Sequence, residues 1–354
     1  MRFPLAASLL ALSSLAAAQT PGPHLLVLSK SDHTLAIVNP ATLQVEARVP
    51  VGEDPHEVVA STDGRTAYVS NYGFGRFHTI TVIDLIAAKQ EKVIDLTPLI
   101  GPHGLFFADG KLWFTAEVNK VIGRYDPASG KVDFILGTGQ NRTHMVYVLP
   151  GTTRIVTANV NSGTLSILDH IETSNAPPQG PPMGAPPGGQ QGPPPGNYRP
   201  ILPPGGDWVP TVLPTGQGGE GFDVSPNGKE AWVANAGDGI VTIIDLVAKK
   251  VSNTLNTGTK SANRLKFTPD GKHVLISMLA QPDVVVLDAA SHKEIKRIPI
   301  GHGAAGILMQ PGGTRAYIAC TPDSYVAVID LSSLKVVGHI EAGNPDGLAW
   351  VVIP

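Results

Sequence analysis

The chain has 354 residues, of which 42% are apolar and 16% are charged, so it can bury a substantial core. Its formal net charge is −3, with acidic and basic residues interspersed, which argues against a binding surface for duplex nucleic acid or an anionic membrane. The many glycines (39) and prolines (32) favour short strands and tight turns over long helices.

The first 18 residues have the pattern of a secretory signal peptide. Arg2 precedes an apolar segment from Leu5 to Leu15, and an Ala-x-Ala cleavage site ends at Ala18. The apolar segment is too short for a stable membrane span. We therefore expect cleavage after Ala18, a secreted or periplasmic location, and no transmembrane segment in the mature chain, residues 19–354.

Two short patterns recur about every 40 residues in the rest of the chain. In the first, an apolar strand ends in Asp or Asn, whose short side chain can accept hydrogen bonds from the next turn. Its copies are IVN (37–39), VID (82–84), RYD (124–126), ILD (167–169), IID (243–245), VLD (286–288) and VID (328–330). In the second, a turn such as Asp63-Gly64 joins two strands. The strands after these turns are AYVSN (67–71), LWFTA (112–116), IVTAN (155–159), AWVAN (231–235), VLISM (274–278) and AYIAC (316–320).

The repeats predict an all-β, seven-bladed β-propeller with four antiparallel strands per blade. Six units run from about Pro55 to Ala342, and we number them blades 1 to 6. Residues 24–49 supply three strands and residues 345–352 supply one, so the two termini together form blade 7 and close the ring. Closure removes sheet edges that could otherwise pair with other chains.

A Pro/Gly/Gln-rich segment, residues 174–206, interrupts the repeat in blade 3. Such a composition cannot bury a core, so we expect a disordered insertion between the third and fourth strands. A more specific hypothesis is a polyproline-like segment that docks a protein partner on the face opposite the entrances of the innermost strands.

Cys320 is the only cysteine, so the chain has no internal disulfide. Its position in an apolar strand predicts a small buried residue rather than a nucleophile.

The segments Tyr68-Val69-Ser70-Asn71 and Trp232-Val233-Ala234-Asn235, each followed by a strand ending in Ile-Asp, resemble the YVTN-repeat β-propellers. The Pro-His pairs at 55–56 and 102–103 strengthen this resemblance. The family includes lactonase-like, surface-layer and nucleic-acid-binding members, so the resemblance implies a fold but does not select one activity.

Alignment of the blades gives one residue at the start of each innermost strand, and these should form a ring around the central funnel. The ring consists of His56, His103, His144, Glu220, Asn263, Ala305 and Asp346. A second layer on the same rim is expected from the ends of the second strands, with Arg264 beside Asn263. This layer consists of Asn71, Glu117, Asn159 and Asn235. The enlarged loop from Tyr72 to His78 could partly roof the funnel.

Three interpretations of the histidines stay open. They could hydrogen-bond neighbouring backbone as repeat features of the Pro-His turn. His56, His103, His144 and Glu220 could instead bind a divalent transition metal such as zinc, copper or iron. The ring could also bind an organic ligand, with a histidine as general base and Arg264 beside an anion, as in lactone hydrolysis.

The sequence thus predicts an exported binding or scaffold protein with a polar, His-rich funnel that could hold a metal ion or a small-molecule ligand. The alternatives are a lactonase-type hydrolase that uses the same funnel and a protein-interaction platform that acts through the proline-rich insertion. No P-loop, G-x-S-x-G or H-E-x-x-H motif supports another chemistry.

Overall fold

The computed structural model describes residues 19–172 and 206–354. The expected signal peptide and almost all of the expected insertion lie outside these residues, so export and partner docking remain predictions. No helix in the described ranges is long and apolar enough to cross a bilayer.

Twenty-eight strands form seven four-stranded antiparallel sheets within the described residues. The first three strands are β1 (Gly22–Ser29), β2 (Thr34–Val38) and β3 (Val45–Pro50). Blade 1 contains β4 (Pro55–Ala60), β5 (Thr66–Asn71), β6 (Thr79–Asp84) and β7 (Lys89–Asp95). Blade 2 contains β8 (Pro102–Ala108), β9 (Lys111–Ala116), β10 (Val121–Asp126) and β11 (Lys131–Gly137). Blade 3 contains β12 (Thr143–Val148), β13 (Arg154–Asn159), β14 (Thr164–Ile171) and β15 (Asp207–Pro214).

The second half of the ring has the same plan. Blade 4 contains β16 (Gly219–Val224), β17 (Glu230–Asn235), β18 (Ile240–Asp245) and β19 (Lys250–Asn256). Blade 5 contains β20 (Ala262–Phe267), β21 (His273–Met278), β22 (Asp283–Asp288) and β23 (Glu294–Pro299). Blade 6 contains β24 (Ala304–Met309), β25 (Arg315–Cys320), β26 (Tyr325–Asp330) and β27 (Lys335–Glu341). The last strand, β28 (Pro345–Ile353), pairs with β1 in the sheet β28-β1-β2-β3, so both termini close the ring as predicted.

The core lies between the blades. The described residues form seven apolar clusters, and each cluster joins two neighbouring blades. In the cluster between blades 7 and 1, for example, Leu26 and Leu35 pack with Val69 and Ile83. Because both faces of the middle strands are covered, they read as continuous apolar runs, while outer strands such as β11 alternate between half-buried and exposed residues.

The Asp at the end of a third strand holds the following turn, as its position in the repeat predicts. The Asp84 carboxylate accepts hydrogen bonds from the backbone N–H groups of Ile86 and Ala87, each at 3.0 Å. Asp169, which precedes residues 173–205, instead pairs with Arg154 and Lys249. Cys320 is fully buried, and burial raises the pKa of its thiol to about 12, which suits a packing role.

Candidate functional site

Each expected ring residue is the second residue of an innermost strand, so the seven positions are structurally equivalent. In every blade the pairing of the first two strands shifts by one residue at this point, which is a β-bulge. In blade 1, Pro55 pairs with Asn71 and the next paired residue is Val58. A bulge redirects the side chain that it contains. The repeated bulge therefore explains how one position per blade comes to face the funnel.

A second regularity lies two residues before each ring residue, where the backbone is left-handed in all seven blades. The positions are Asp54, Gly101, Arg142, Gly218, Ser261, Gly303 and Asn344. Glycine, Asn and Asp tolerate this conformation, but an arginine rarely adopts it. Arg142 has φ of 56°.

The expected second layer differs from the observed one. Asn71, Asn159 and Asn235 are buried within their own blades and do not line the funnel. The Asn71 amide donates to the hydroxyls of Thr79 and Thr81, at 2.9 and 3.0 Å. The amides of Asn159 and Asn235 make similar bonds to hydroxyls of the third strand. These three asparagines fasten the second strand to the third.

In five of the seven blades, the residue immediately after the second strand supplies the funnel layer. Because side chains alternate along extended backbone, a change of one residue moves a side chain to the other face. Tyr72, Glu117, Leu279 and Thr321 occupy this position, as does Lys30 after β1. Glu117 occupies this position, while the three asparagines are the last residues of their strands, one residue earlier.

The three histidines lie side by side. The ring centroids of His56 and His103 are 4.3 Å apart, and those of His103 and His144 are 3.8 Å apart. Tyr72 covers His103 in an edge-to-face contact with centroids 4.8 Å apart. The sequence-based expectation that histidines of three successive blades converge therefore agrees with the geometry.

His103 has no hydrogen-bond partner on either ring nitrogen among the described residues, although its side chain is fully buried. Buried polar groups are nearly always hydrogen-bonded, so this histidine needs an explanation. Burial, reinforced by His144, His56 and two arginines, holds its pKa well below the usual value. The imidazole is therefore neutral near pH 7, which is the form that binds metals.

Glu117 connects the histidines to the second layer. It accepts hydrogen bonds from Nδ1 of His144 and from the hydroxyl of Tyr72. Burial opposes the charged forms of both Glu117 and His144. Their mutual hydrogen bond outweighs it, so the pKa of Glu117 is lowered and that of His144 is raised.

Glu220 lies on the other side of His144. Its Oε2 is 3.0 Å from Nε2 of His144, within ion-pair distance but outside hydrogen-bond geometry. The Arg142 guanidinium donates to both oxygens of Glu220, at 2.9 and 3.4 Å, and its Nε is 3.5 Å from Glu117. Burial opposes ionisation of Glu220, but His144 and the arginines lower its pKa to about 2.

His56 belongs to a separate ionic group. Nζ of Lys30 lies 2.6 Å from Nδ1 of His56, 3.0 Å from Asp346 and 3.2 Å from Asp54. Burial lowers the pKa of His56, and the lysine adds to this effect. Nδ1 of His56 and the carboxylate of Asp346 therefore face a built-in cation.

Arg264 spans the funnel from blade 5 to pair with Glu57 of blade 1. Asn263 and Ala305, the neighbouring ring residues, line the same space. At the equivalent of Glu57 several blades have glycine, because a Cβ at Gly104 or Gly221 would meet the backbone of the next innermost strand at 2.5 Å. The innermost strands therefore pack closely at the level of the Glu57–Arg264 pair.

Above this pair is a cavity of about 430 Å³, within the size range of small-molecule sites. His56, His144, Glu220, Asn263, Arg264 and Asp346 form its polar side. Phe74, Leu279 and Pro322 form an apolar lip. Phe74 lies in the enlarged loop and is 78% exposed, so the loop borders the funnel as expected.

His103, Glu117 and His144 can each present one ligand atom within 4.8 Å of the others. A zinc-like ion with bonds of about 2 Å needs its ligand atoms about 3.5 Å apart, so adjustments of about 1 Å would complete the site. The sequence predicted His56, His103, His144 and Glu220. Of these four, His103 and His144 belong to the group that could share an ion. Glu117 is its third member in place of His56, and Glu220 lies beside His144 and Arg142.

Sequence reasoning missed Lys30, Arg142 and Glu57, and it named Tyr72 only as the start of the loop beside the funnel. Lys30 and Tyr72 could have been found by shifting the second layer by one residue. Arg142 could have been noticed because the equivalent repeat position holds Gly in blades 2, 4 and 6. The Glu57–Arg264 pair joins blades that are not neighbours, and no local pattern encodes it.

Residues 4–129 match the family model of YNCE-like beta-propellers. No curated protein matches the chain in sequence. Among solved structures, a functionally unknown protein from Desulfotomaculum acetoxidans has a TM-score of 0.70 at 13% identity, covering 94% of this chain and 99% of that one.

Two further structures share the fold. Hydrazine synthase from Kuenenia stuttgartiensis has a TM-score of 0.66 at 17% identity, covering 91% of this chain and 99% of that one. A candidate 6-phosphogluconolactonase from Bacteroides fragilis has a TM-score of 0.68 at 13% identity, covering 94% and 98%. At these identities the likeness concerns the fold alone. The chain is a seven-bladed β-propeller, and residues 4–129 are similar to the YNCE-like beta-propellers.

Proposed function

We propose that the protein is a metal-binding propeller that holds one divalent transition metal through His103, His144 and Glu117, beside a small-molecule cavity. The observation that carries this proposal is the fully buried His103, whose two ring nitrogens lack partners among the described residues. A neutral imidazole beside a second histidine and a carboxylate is a donor set that suits zinc, copper or iron.

The surroundings of the three side chains also suit a metal centre. Tyr72 donates a hydrogen bond to Glu117 and so fixes the orientation of a ligand carboxylate. His144 lines the cavity, so a bound ion would lie next to the space open to a ligand. The metal would act there as a Lewis acid or an anchoring point for that ligand.

Metal uptake by the full mature chain tests the proposal. The chelator-treated protein is dialysed against Zn²⁺, and bound metal is measured for wild type, His103→Phe, Glu117→Gln and His273→Phe. His103→Phe keeps an aromatic ring without nitrogen ligands. His273 begins β21 on the opposite face, so His273→Phe is the matched control.

We expect one equivalent of zinc in wild type and in the control, with affinity at least tenfold lower in the two funnel variants. Equal zinc binding by all four proteins would reject the proposal, as would no binding by wild type. Thermal unfolding of each variant checks that its fold is intact.

A second candidate is a hydrolase of the lactonase type. The observation that favours it is the Glu117–His144 pair at the cavity, because a carboxylate that orients an imidazole is an arrangement for general-base catalysis. Lactone turnover by chelator-treated protein, abolished by His144→Asn and retained by His273→Phe, would support this function. Turnover that His144→Asn leaves unchanged would reject it.

A further inference from the structure

The cavity beside the histidines has two chemically different walls. Its apolar lip consists of Phe74, Leu279 and Pro322, and the first two side chains are 78% and 47% exposed. Exposed apolar side chains at the mouth of a cavity are typical of ligand-binding sites. A ligand that enters therefore meets a surface suited to an aromatic or alicyclic body.

The charged groups on the polar wall are already paired with other charges of the protein. Arg142 binds Glu220, Arg264 binds Glu57, and Asp346 binds Lys30. A charged ligand would have to break one of these pairs and leave its partner partly buried, which is costly. An uncharged ligand avoids that cost.

Asn263 differs from these groups. It is the ring residue of blade 5 and lines the cavity, and no described residue hydrogen-bonds its side-chain amide. The next ring residue, Ala305 of blade 6, is apolar and offers no such group. A primary amide offers both a donor and an acceptor, so it pairs best with a group that also offers both.

We propose that the cavity binds an uncharged cyclic organic molecule through its apolar face and a carboxamide-like group that pairs with Asn263. The inference rests on the proposed function because the ligand would lie beside the proposed metal site. Binding of the ligand itself does not require the metal.

Three probes of one shape and different charge test the proposal: 2-naphthamide, 2-naphthoate and 2-naphthamidine. Each is titrated by fluorescence into the chelator-treated full mature chain. We expect 2-naphthamide to bind at least tenfold more tightly than either charged probe. Equal or tighter binding of 2-naphthoate or 2-naphthamidine would overturn the proposal, as would the absence of saturable 2-naphthamide binding.

Two variants locate the binding site. Asn263→Leu keeps the size of the side chain and removes the amide, and it should weaken 2-naphthamide binding at least fivefold while leaving the charged probes unchanged. Phe74→Ala should weaken all three probes. Asn161→Leu, at an exposed turn of blade 3, is the matched control and should change nothing. Unchanged 2-naphthamide binding in Asn263→Leu would overturn the assignment.

The outcomes separate this proposal from the metal proposal. Zinc uptake without 2-naphthamide binding rejects the ligand class alone. Binding of 2-naphthamide without zinc uptake rejects the metal centre alone.

Discussion

Glu117 of blade 2 accepts a hydrogen bond from Nδ1 of His144 of blade 3, and this contact joins two blades at the rim of the funnel. Both side chains are buried, so the bond forms where water screens it little. On one side of this pair stands His103 without a hydrogen-bond partner in the described chain, and on the other stand Glu220 and Arg142.

Acid should destabilise the protein through His103. Burial lowers the folded-state pKa of this histidine below its unfolded value, so protonation favours the unfolded chain as pH falls below about 6.5. The wild type should therefore lose up to about 2 kcal/mol relative to His103→Phe between pH 7.5 and pH 5. Urea unfolding of both proteins across this range measures the difference, and parallel curves would contradict the prediction.

Arg142 should oppose metal binding and strain the backbone. Its guanidinium competes for Glu117 and Glu220, so Arg142→Gly should raise zinc affinity several-fold. Because the residue has a positive φ, Arg142→Gly should also be more stable than Arg142→Ala by about 1 kcal/mol. Zinc titrations and urea unfolding of the two variants check both effects. Lower zinc affinity, or greater stability of the alanine variant, would count against this role.

Asn71 should matter for stability and not for ligand binding. Asn71→Leu leaves two threonine hydroxyls without their amide donor and should cost about 1–3 kcal/mol. Its zinc affinity should equal that of wild type, because the side chain lies inside blade 1. Denaturant unfolding and zinc dialysis measure the two quantities. A change in zinc affinity with no loss of stability would indicate that Asn71 lines the funnel after all.

Lys30 should depress the pKa of His56. The ammonium adds to the effect of burial on this imidazole, while Asp346 acts in the opposite direction. Lys30→Met removes the positive charge and leaves the carboxylate, so the pKa of His56 should rise. An NMR titration that follows the His56 ring protons in both proteins tests this, and a pKa that is unchanged or lower in Lys30→Met would refute it.

The blades and the funnel ring could be predicted because the repeat has a fixed period. His56, His103, His144 and Glu220 each follow the first residue of an innermost strand, and the repeat aligns them once the insertion in blade 3 is set aside. The second layer could be predicted only with the strand ends known to within one residue. Asn71 and Tyr72 are adjacent in the chain, and their side chains face opposite ways.

The sequence could not show which residues contact the ring residues. Lys30 lies next to His56 only because β1 and β28 complete the last blade. Arg264 reaches Glu57 across the funnel, a contact between residues 207 positions apart. Such pairings depend on closure of the whole ring, which no local pattern contains.

The metal centre is tested most directly by the visible spectrum of the protein with Co²⁺, a spectroscopic stand-in for zinc. The chelator-treated wild type and His273→Phe should give the intense d–d absorption of a low-coordinate site, saturating at one equivalent. His103→Phe and Glu117→Gln should give only the weak absorption of hydrated cobalt at that concentration. The same saturable spectrum in His103→Phe, or none in wild type, would contradict a metal centre built on His103, His144 and Glu117.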